Sequence, residues 1–256
     1  MSQIKNSRVA VQVMGRLRVL TYNIRHGEGL DGRFDLERIA RVIRSLDPDL
    51  VALQEVDCQT KRSGGVDQTV ELGKLTGLHA VFGAAMDFEG GRYGEAILSR
   101  HPILASRIHP LPHRPDSEAR CALEARVPWP DGGSLTLIGT HLDHLEEEEG
   151  RILQAREIVR RFGPDHHPRM ILAGDMNAQP GSAPLRILAE TWMDTGAHRP
   201  LLTFPANKPD QKIDYIFVKP ASPWRIMDVR AIEEKTASDH LPLLATLEMI
   251  PSHGMD

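Results

Sequence analysis

Asp175 and Asn177 stand two positions apart, directly after the apolar run Met170-Ile171-Leu172-Ala173-Gly174. In an extended strand, residues i and i+2 point to the same side. A carboxylate and a carboxamide would therefore lie together where the strand leaves the core. Such a pair could belong to an active site. Asp and Asn are also ordinary turn formers, and on these residues alone both roles stay open.

The pattern recurs along the chain. Asn23 stands near the end of the strand-like stretch Leu17 to Ile24, where a turn role and a site role are again both open. Glu55 follows the apolar Leu50-Val51-Ala52-Leu53, and His141 follows Ser134 to Gly139. Asp239 and His240 sit just ahead of an expected last strand, Leu241 to Leu247. Buried strands seldom end in Glu without a partner, because desolvating a lone carboxylate is costly. Glu55 is therefore expected to be paired or bound to a metal. There is no nucleophilic Ser or Cys motif, and no glycine-rich phosphate loop followed by Lys. The set instead offers hard oxygen ligands suited to Mg²⁺ or Mn²⁺ and histidines able to handle protons or phosphate charge. That combination suits hydrolysis of a phosphate ester: a metal neutralises the phosphate, a carboxylate orients water, and a charged imidazole faces the developing negative charge.

These residues need elements to position them. Leu36, Ile39, Ala40, Val42 and Ile43 recur at a helical period over Phe34 to Ser45, with Asp35 as N-cap. A second helix is expected around Gln68 to Leu75, closed by Gly77. Ala80 to Ala84 and Glu95 to Ser99 read as strands, with Met86 to Gly94 a loop between them. His109 to Pro115 is expected to be a surface loop, and Arg120 to Val127 a strand joined to Ser134 to Gly139 by a turn at Asp131-Gly132-Gly133. The acidic run Glu146 to Glu149 opens a helix reaching about Arg161, charged as its dipole favours; His166 and His167 fall in the loop beyond. A short helix follows at Pro184 to Ala189, and Lys212 to Val218 is a strand carrying Asp214. Polar residues at the exits of strands can converge on one edge of an α/β fold.

The composition limits the partners. With 256 residues and 41% hydrophobic residues the chain can build a sizeable core, and the formal charge of -4 supplies no net cationic field for a nucleic-acid backbone. Cys58 and Cys121 lack CxxC spacing and fit buried thiols in a reducing compartment. No stretch approaches the roughly 20 apolar residues that cross a bilayer. A soluble, cytoplasmic monomer is expected, with an N-terminal extension over 1–16 and a single domain over 17–250.

The ordered set TYN (Thr21 to Asn23), QE (Gln54-Glu55), ILS (Ile97 to Ser99), THLD (Thr140 to Asp143), GDMN (Gly174 to Asn177), IDYI (Ile213 to Ile216) and SDH (Ser238 to His240) resembles the endonuclease/exonuclease/phosphatase superfamily. The resemblance runs from about Leu17 to Leu247. It implies a four-layer α/β/β/α sandwich of two mixed sheets flanked by helices, with the site at one end of the sheets. It also implies roles. Glu55 resembles the main metal ligand, with Asn23 beside it and Asp239 contributing to the metal site. Asp175 resembles the residue that orients or deprotonates the attacking water, and Asn177 the group that holds that water or a phosphate oxygen. His240 resembles the histidine on the scissile phosphate, kept protonated by Asp214, and His141 a second phosphate-contacting histidine. Tyr93 and Arg120 occupy places where relatives contact phosphate; Asp143 and His144 rank below His141, and Glu95 stands where some branches carry Asn. The implied activity is metal-dependent phosphoester hydrolysis. A small or lipid-type ester is favoured, because duplex DNA calls for cationic or intercalating loops. A nucleic acid substrate and a catalytically silent binding domain are the alternatives.

Overall fold

Two six-stranded sheets lie face to face in the computed structural model, which describes residues 14–130, 132–163, 169–220 and 224–249. Most of the expected N-terminal extension, Asp131 of the expected turn, His166 and His167 lie outside the described residues. The chain runs β1 (Met14–Asn23), a 3₁₀ turn (Arg25–Gly27), α1 (Leu36–Leu46), β2 (Leu50–Cys58), α2 (Gln68–Thr76), β3 (His79–Phe88), β4 (Gly91–Ser99) and β5 (Ala105–Pro110). It continues through β6 (Cys121–Pro128), β7 (Ser134–His141), α3 (Glu149–Phe162), β8 (Met170–Asp175), α4 (Ala183–Leu188), β9 (Met193–Asp194), β10 (Asp214–Val218), β11 (Trp224–Ala231) and β12 (Leu243–Met249). The sheet orders are β11-β12-β1-β2-β4-β3 and β5-β6-β7-β8-β10-β9.

Each sheet contains one parallel pair, β1–β2 and β7–β8. A parallel pair needs a crossover, and α1 and α3 supply it. The strands are apolar on both faces because both faces are covered. Val19, Ala52 and Ile97 of one sheet and Leu123, Leu137, Ile171 and Ile216 of the other fill the space between the sheets. Their neighbours Leu20, Val51, Leu53 and Leu98 point outward under Ile39, Ile43 and Leu72 of α1 and α2. Ile138 and Leu172 do the same under Ile158, Phe162 and Leu188 of α3 and α4. The result is the α/β/β/α sandwich expected from the sequence. Asp35 caps α1 by accepting from Arg38 N at 2.8 Å, and Gly77 closes α2 in the left-handed conformation at φ 73°.

Three expectations need correction. Met86 to Gly94 is no loop: β3 and β4 form a hairpin whose pairing runs Met86↔Tyr93, Asp87↔Arg92 and Phe88↔Gly91. Glu89 and Gly90, both at positive φ, make a tight turn that matches strand twist, so the glycines punctuate the hairpin without ending it. His109 is buried in the edge strand β5 and bonded through Nε2 to Glu124 Oε2 at 2.8 Å; the proline that suggested a loop is tolerated on an edge. β2 does not stop at Leu53 but continues through Glu55 to Cys58, with a register shift between Leu53 and Val56. The edge strands β9 and β11 were not expected from the sequence.

Candidate active site

β1, β2, β7 and β8 deliver their C-terminal residues to one end of the sandwich, as parallel neighbours must. Thr140 pairs with Gly174 and His141 with Asp175 across β7–β8, and Asn23 pairs with Gln54 across β1–β2. Asp214 starts β10 opposite Asp175. Glu55 occupies the irregularity in β2 at φ 58°, and Asn177 sits just past β8 at φ 47°. Both are non-glycine residues in the left-handed region, where backbone strain is retained chiefly at functional sites.

Asn23 ties the two sheets together. Its Nδ2 donates to Glu55 Oε1 at 3.0 Å and to Asp175 Oδ2 at 3.2 Å, while its Oδ1 accepts from Arg25 N at 3.0 Å. Asp175 Oδ1 accepts from Asn177 N at 2.8 Å. His240 Nδ1 lies 2.9 Å from Asp214 Oδ2, and its Nε2 lies 3.6 Å from Asp175 Oδ2. The loop carrying Asp239 and His240 is pinned to β1 by Ser238 Oγ, which donates to Asn23 O at 2.7 Å. Asn23, Asp175, Asp214, His141 and His240 are all buried.

The electrostatics separate these groups. Burial pushes the Asp175 carboxyl up to about 7, with Asp214 adding to the rise and His240 opposing it. Burial works against a charged His240, but Asp214 and Asp175 outweigh it and push the imidazole up to about 10. His141 goes the other way: burial and the Arg120 charge hold it well below the ordinary histidine value. Burial acts to raise Glu55, yet His26 and the Asn23 amide outweigh it and hold that carboxyl well below the carboxylate range. At neutral pH the site therefore holds an imidazolium at His240, a neutral ring at His141, an ionised Glu55 and a carboxyl at Asp175 near its midpoint.

These residues open onto a pocket of about 300 Å³. Glu55, Tyr93, Arg120, His141, Asp175, Asn177, Asp239 and His240 all line it, so eight of the ten residues expected from the sequence share one surface. Asn23 and Asp214 stand behind it as hydrogen-bond partners. Arg120 is buried, with Nη1 3.3 Å from His141 Nδ1 and Nη2 2.9 Å from Glu118 Oε2. Asn177 Nδ2 approaches His141 Nε2 at 2.9 Å and donates to Leu142 O at 3.0 Å. A neutral imidazole accepts at one nitrogen only, so Arg120 and Asn177 cannot both donate to it.

Glu95 lies in the buried region near Arg120 with neither carboxylate oxygen hydrogen-bonded, and burial pushes its carboxyl well above the ordinary range, against the pull of Arg120. Asp143 does not line the pocket: its backbone N donates to Gln154 Oε1 of α3 at 2.8 Å, and its side-chain Oδ1 accepts from Leu145 N at 3.3 Å. His144 lines the rim, half exposed. Sequence reasoning missed Arg62, Glu118 and Phe204 in the wall, and His26, whose Nδ1 is 3.8 Å from Glu55 Oε2. Arg62, Glu118 and Phe204 do not stand directly at the exit of a buried strand, and His26 lies in the turn three residues past Asn23, whereas Glu55, His141 and Asp175 were marked by the contrast between apolar run and polar end.

The sequence profile described as the Endonuclease/Exonuclease/phosphatase family matches residues 20–240. The chain belongs to this family. Members of the endonuclease/exonuclease/phosphatase family generally hydrolyse phosphate esters. YbhP of Escherichia coli K12 is 28% identical over 246 residues, covering 91% of this chain and 96% of YbhP. The crystal structure of an endonuclease/exonuclease/phosphatase from Beutenbergia cavernae superposes with a TM-score of 0.73 at 27% identity, covering 91% of this chain and 72% of that one. The mannosyl-6-phosphatase Bt3783 of Bacteroides thetaiotaomicron superposes at 0.72 with 18% identity, covering 90% and 99%, a likeness of fold alone. Among the described residues no helix is long and apolar enough to cross a membrane.

Proposed function

We propose that this family member is a Mg²⁺- or Mn²⁺-dependent phosphoesterase that hydrolyses a small or lipid-type phosphate ester by in-line attack of water. The observation that carries the reading is the pair Asp175 and His240, 3.6 Å apart, with the acid near its midpoint at neutral pH and the imidazole charged. A base poised near the working pH and a cation held next to it are what water attack on a phosphate requires.

The donor set fits a hard cation. Glu55 is ionised, about one quarter exposed to the pocket, with His26 Nδ1 3.8 Å from its Oε2. Asp239 adds a second carboxylate, and Asn23 orients Glu55. Asp175, Asp214 and His240 bring their ligand atoms within 4.8 Å of one another, a tighter cluster. They are unsuited to metal, because an imidazolium bonded to Asp214 has no lone pair to give. Glu55 and Asp239 would therefore hold the ion, which when bound neutralises phosphate charge and the leaving oxygen. Asp175 takes the proton of the attacking water, which Asn177 holds in place. His240 donates from Nε2 to a phosphate oxygen as charge builds there, and Asp214 keeps the proton on it. His141 and Arg120 supply further donors to the phosphate. The mildly acidic chain and small pocket favour a compact ester over duplex DNA.

Release of p-nitrophenol from p-nitrophenyl phosphate or bis(p-nitrophenyl) phosphate in Mg²⁺ or Mn²⁺ tests this. EDTA should abolish turnover and added metal restore it; Glu55→Gln should need far more metal for the same rate. Hydrolysis that survives EDTA would overturn the metal assignment.

The pH profile follows from the same groups. The rate needs Asp175 deprotonated and His240 protonated, so it should rise through an acid limb and fall through an alkaline limb at about 10. A cation held at Glu55 favours the charged form of Asp175 and draws the acid limb below about 7. Asp214→Asn removes the charge that raises His240, and its alkaline limb should move to lower pH while the acid limb does not rise. An alkaline limb that stays in place would remove Asp214 from its role.

A further inference from the structure

One wall of the pocket carries a cation that hydrolysis does not use. Arg62 lies in the loop between β2 and α2. Its Nε donates to Asp57 Oδ2 at 2.8 Å and its Nη2 to Asp57 Oδ1 at 2.9 Å. Asp57 is fully buried, and Thr60 Oγ1 donates to the same Oδ2 at 2.6 Å. The guanidinium carbon stands 4.6 Å from the ring centre of Phe88 and 5.3 Å from that of Tyr93. A long, flexible side chain is thus fixed by a two-pronged ion pair and by aromatic faces, the arrangement that pre-organises a guanidinium for planar recognition. Its third nitrogen, Nη1, makes no hydrogen bond among the described residues, and the side chain stays 26% exposed on the pocket wall.

Holding the loop does not account for this. The loop is already tied by its backbone: Gln59 N donates to Val66 O at 2.9 Å and Gly65 N to Thr60 O at 2.9 Å. Arg62 N itself donates to Glu89 Oε2 at 2.9 Å. Asp57 neutralises the charge of Arg62, so the residue is a weak long-range attractor. What remains is a directed donor edge beside the apolar Met86 and Phe88. A guanidinium donates and never accepts, and its strongest complement is an oxyanion.

We propose that Arg62 is a specificity-determining residue whose Nη1 edge binds a second acidic group, carboxylate or phosphate, carried by the substrate apart from its scissile phosphate. The proposal rests on the phosphoesterase reading of the pocket.

Propylphosphonate and 3-phosphonopropionate differ by one terminal carboxylate, and calorimetric titration of the full chain with each in Mg²⁺ tests the subsite. A charge-assisted hydrogen bond at a partly solvated site is expected to favour 3-phosphonopropionate by about tenfold. Arg62→Lys keeps the ion pair with Asp57 but withdraws the planar edge, and should bring the two affinities close together. Removing the Arg62 charge alone would strand the buried Asp57, so the Asp57→Asn/Arg62→Gln double variant serves as the neutral test and should lose the preference as well. Equal affinities in the unaltered protein, no binding of either compound, or a preference that survives both variants would overturn the proposal. The parent reading fails separately: binding with the expected preference, but no release of p-nitrophenol from either reporter ester in Mg²⁺ or Mn²⁺, removes the hydrolysis and leaves the subsite.

Discussion

Asp175→Asn should lower kcat on a reporter phosphoester by about a thousandfold, within the range that a positioned general base supplies, and leave the thermal transition unchanged or raised. The substitution keeps the size of the side chain and an oxygen able to accept from Asn177 N, now at 2.8 Å. What it removes is a proton acceptor whose affinity burial has tuned to about 7. An amide has no such basicity, so the water must lose its proton to solvent. The stability expectation comes from the same burial. A carboxyl raised this far is ionised at the expense of the folded state, being held beside Asp214 away from water, and a neutral amide relieves that conflict. Two contacts oppose it, since the Asn23 amide would face an amide in place of Oδ2 and the charged His240 ring would lose the carboxylate 3.6 Å from its Nε2. Rate and melting temperature measured on one preparation decide the matter: a loss below about tenfold takes Asp175 out of the proton transfer.

Gly174→Ala should unfold the same corner of the molecule by steric means. Gly174 sits at φ 156°, and a Cβ built there would lie 1.9 Å from Thr140 O, with the Thr140 carbonyl carbon at 2.9 Å. These are backbone atoms of β7, hydrogen-bonded on both sides, and cannot rotate aside as a side chain could. The two strands must part, and a cost of about 4 kcal/mol or more belongs to the exceptional class of single substitutions. In a domain of this size that corresponds to a fall in melting temperature of roughly 10 °C. Activity should fall with it, because His141 and Asp175 are the next residues on the two strands. Gly90→Ala gives the contrast. It has φ 82° but open space around the added methyl, so conformational strain alone, about 1 kcal/mol, is expected. A Gly174 variant no worse than the Gly90 variant would show that β7 and β8 can separate cheaply.

Much of this site was legible because its residues break a pattern. Glu55, His141 and Asp175 each follow an apolar run buried on both faces, and a polar group in that position needs a partner or a task. The helices were legible from periodicity with their caps, Asp35 and Gly77. The hairpin from Met86 to Gly94 was not, because its glycines signal both a turn and a break, and only pairing with the neighbouring strand decides between them. β11 was hidden for a related reason: an edge strand with exposed Arg225 and Arg230 shows little of the apolar run that marked the inner strands. Arg62 was invisible in sequence, since its importance comes from Asp57 below it and from Phe88 and Tyr93 across the hairpin. Nor does any sequence signal give the positive φ of Glu55, which follows from the irregular register of β2 against β4.

β12 lies between β11 and β1, with Thr21 opposite Leu243 and Val19 opposite Ala245. Ser238 then reaches back across 215 positions to Asn23. Asn23, Glu55, Asp175 and Asn177 thus leave the ribosome well before Asp239 and His240, and β1, which ends in Asn23, keeps one edge unpaired until β12 enters. Pairings this distant in sequence are slow to form. A nascent chain would carry its water-handling groups for some time without the imidazolium that faces the phosphate. Catalytic competence should therefore appear late and in one step, together with the closing of the sheet, so that in a refolding experiment the recovery of activity tracks β12 docking and lags behind the burial of the earlier helices.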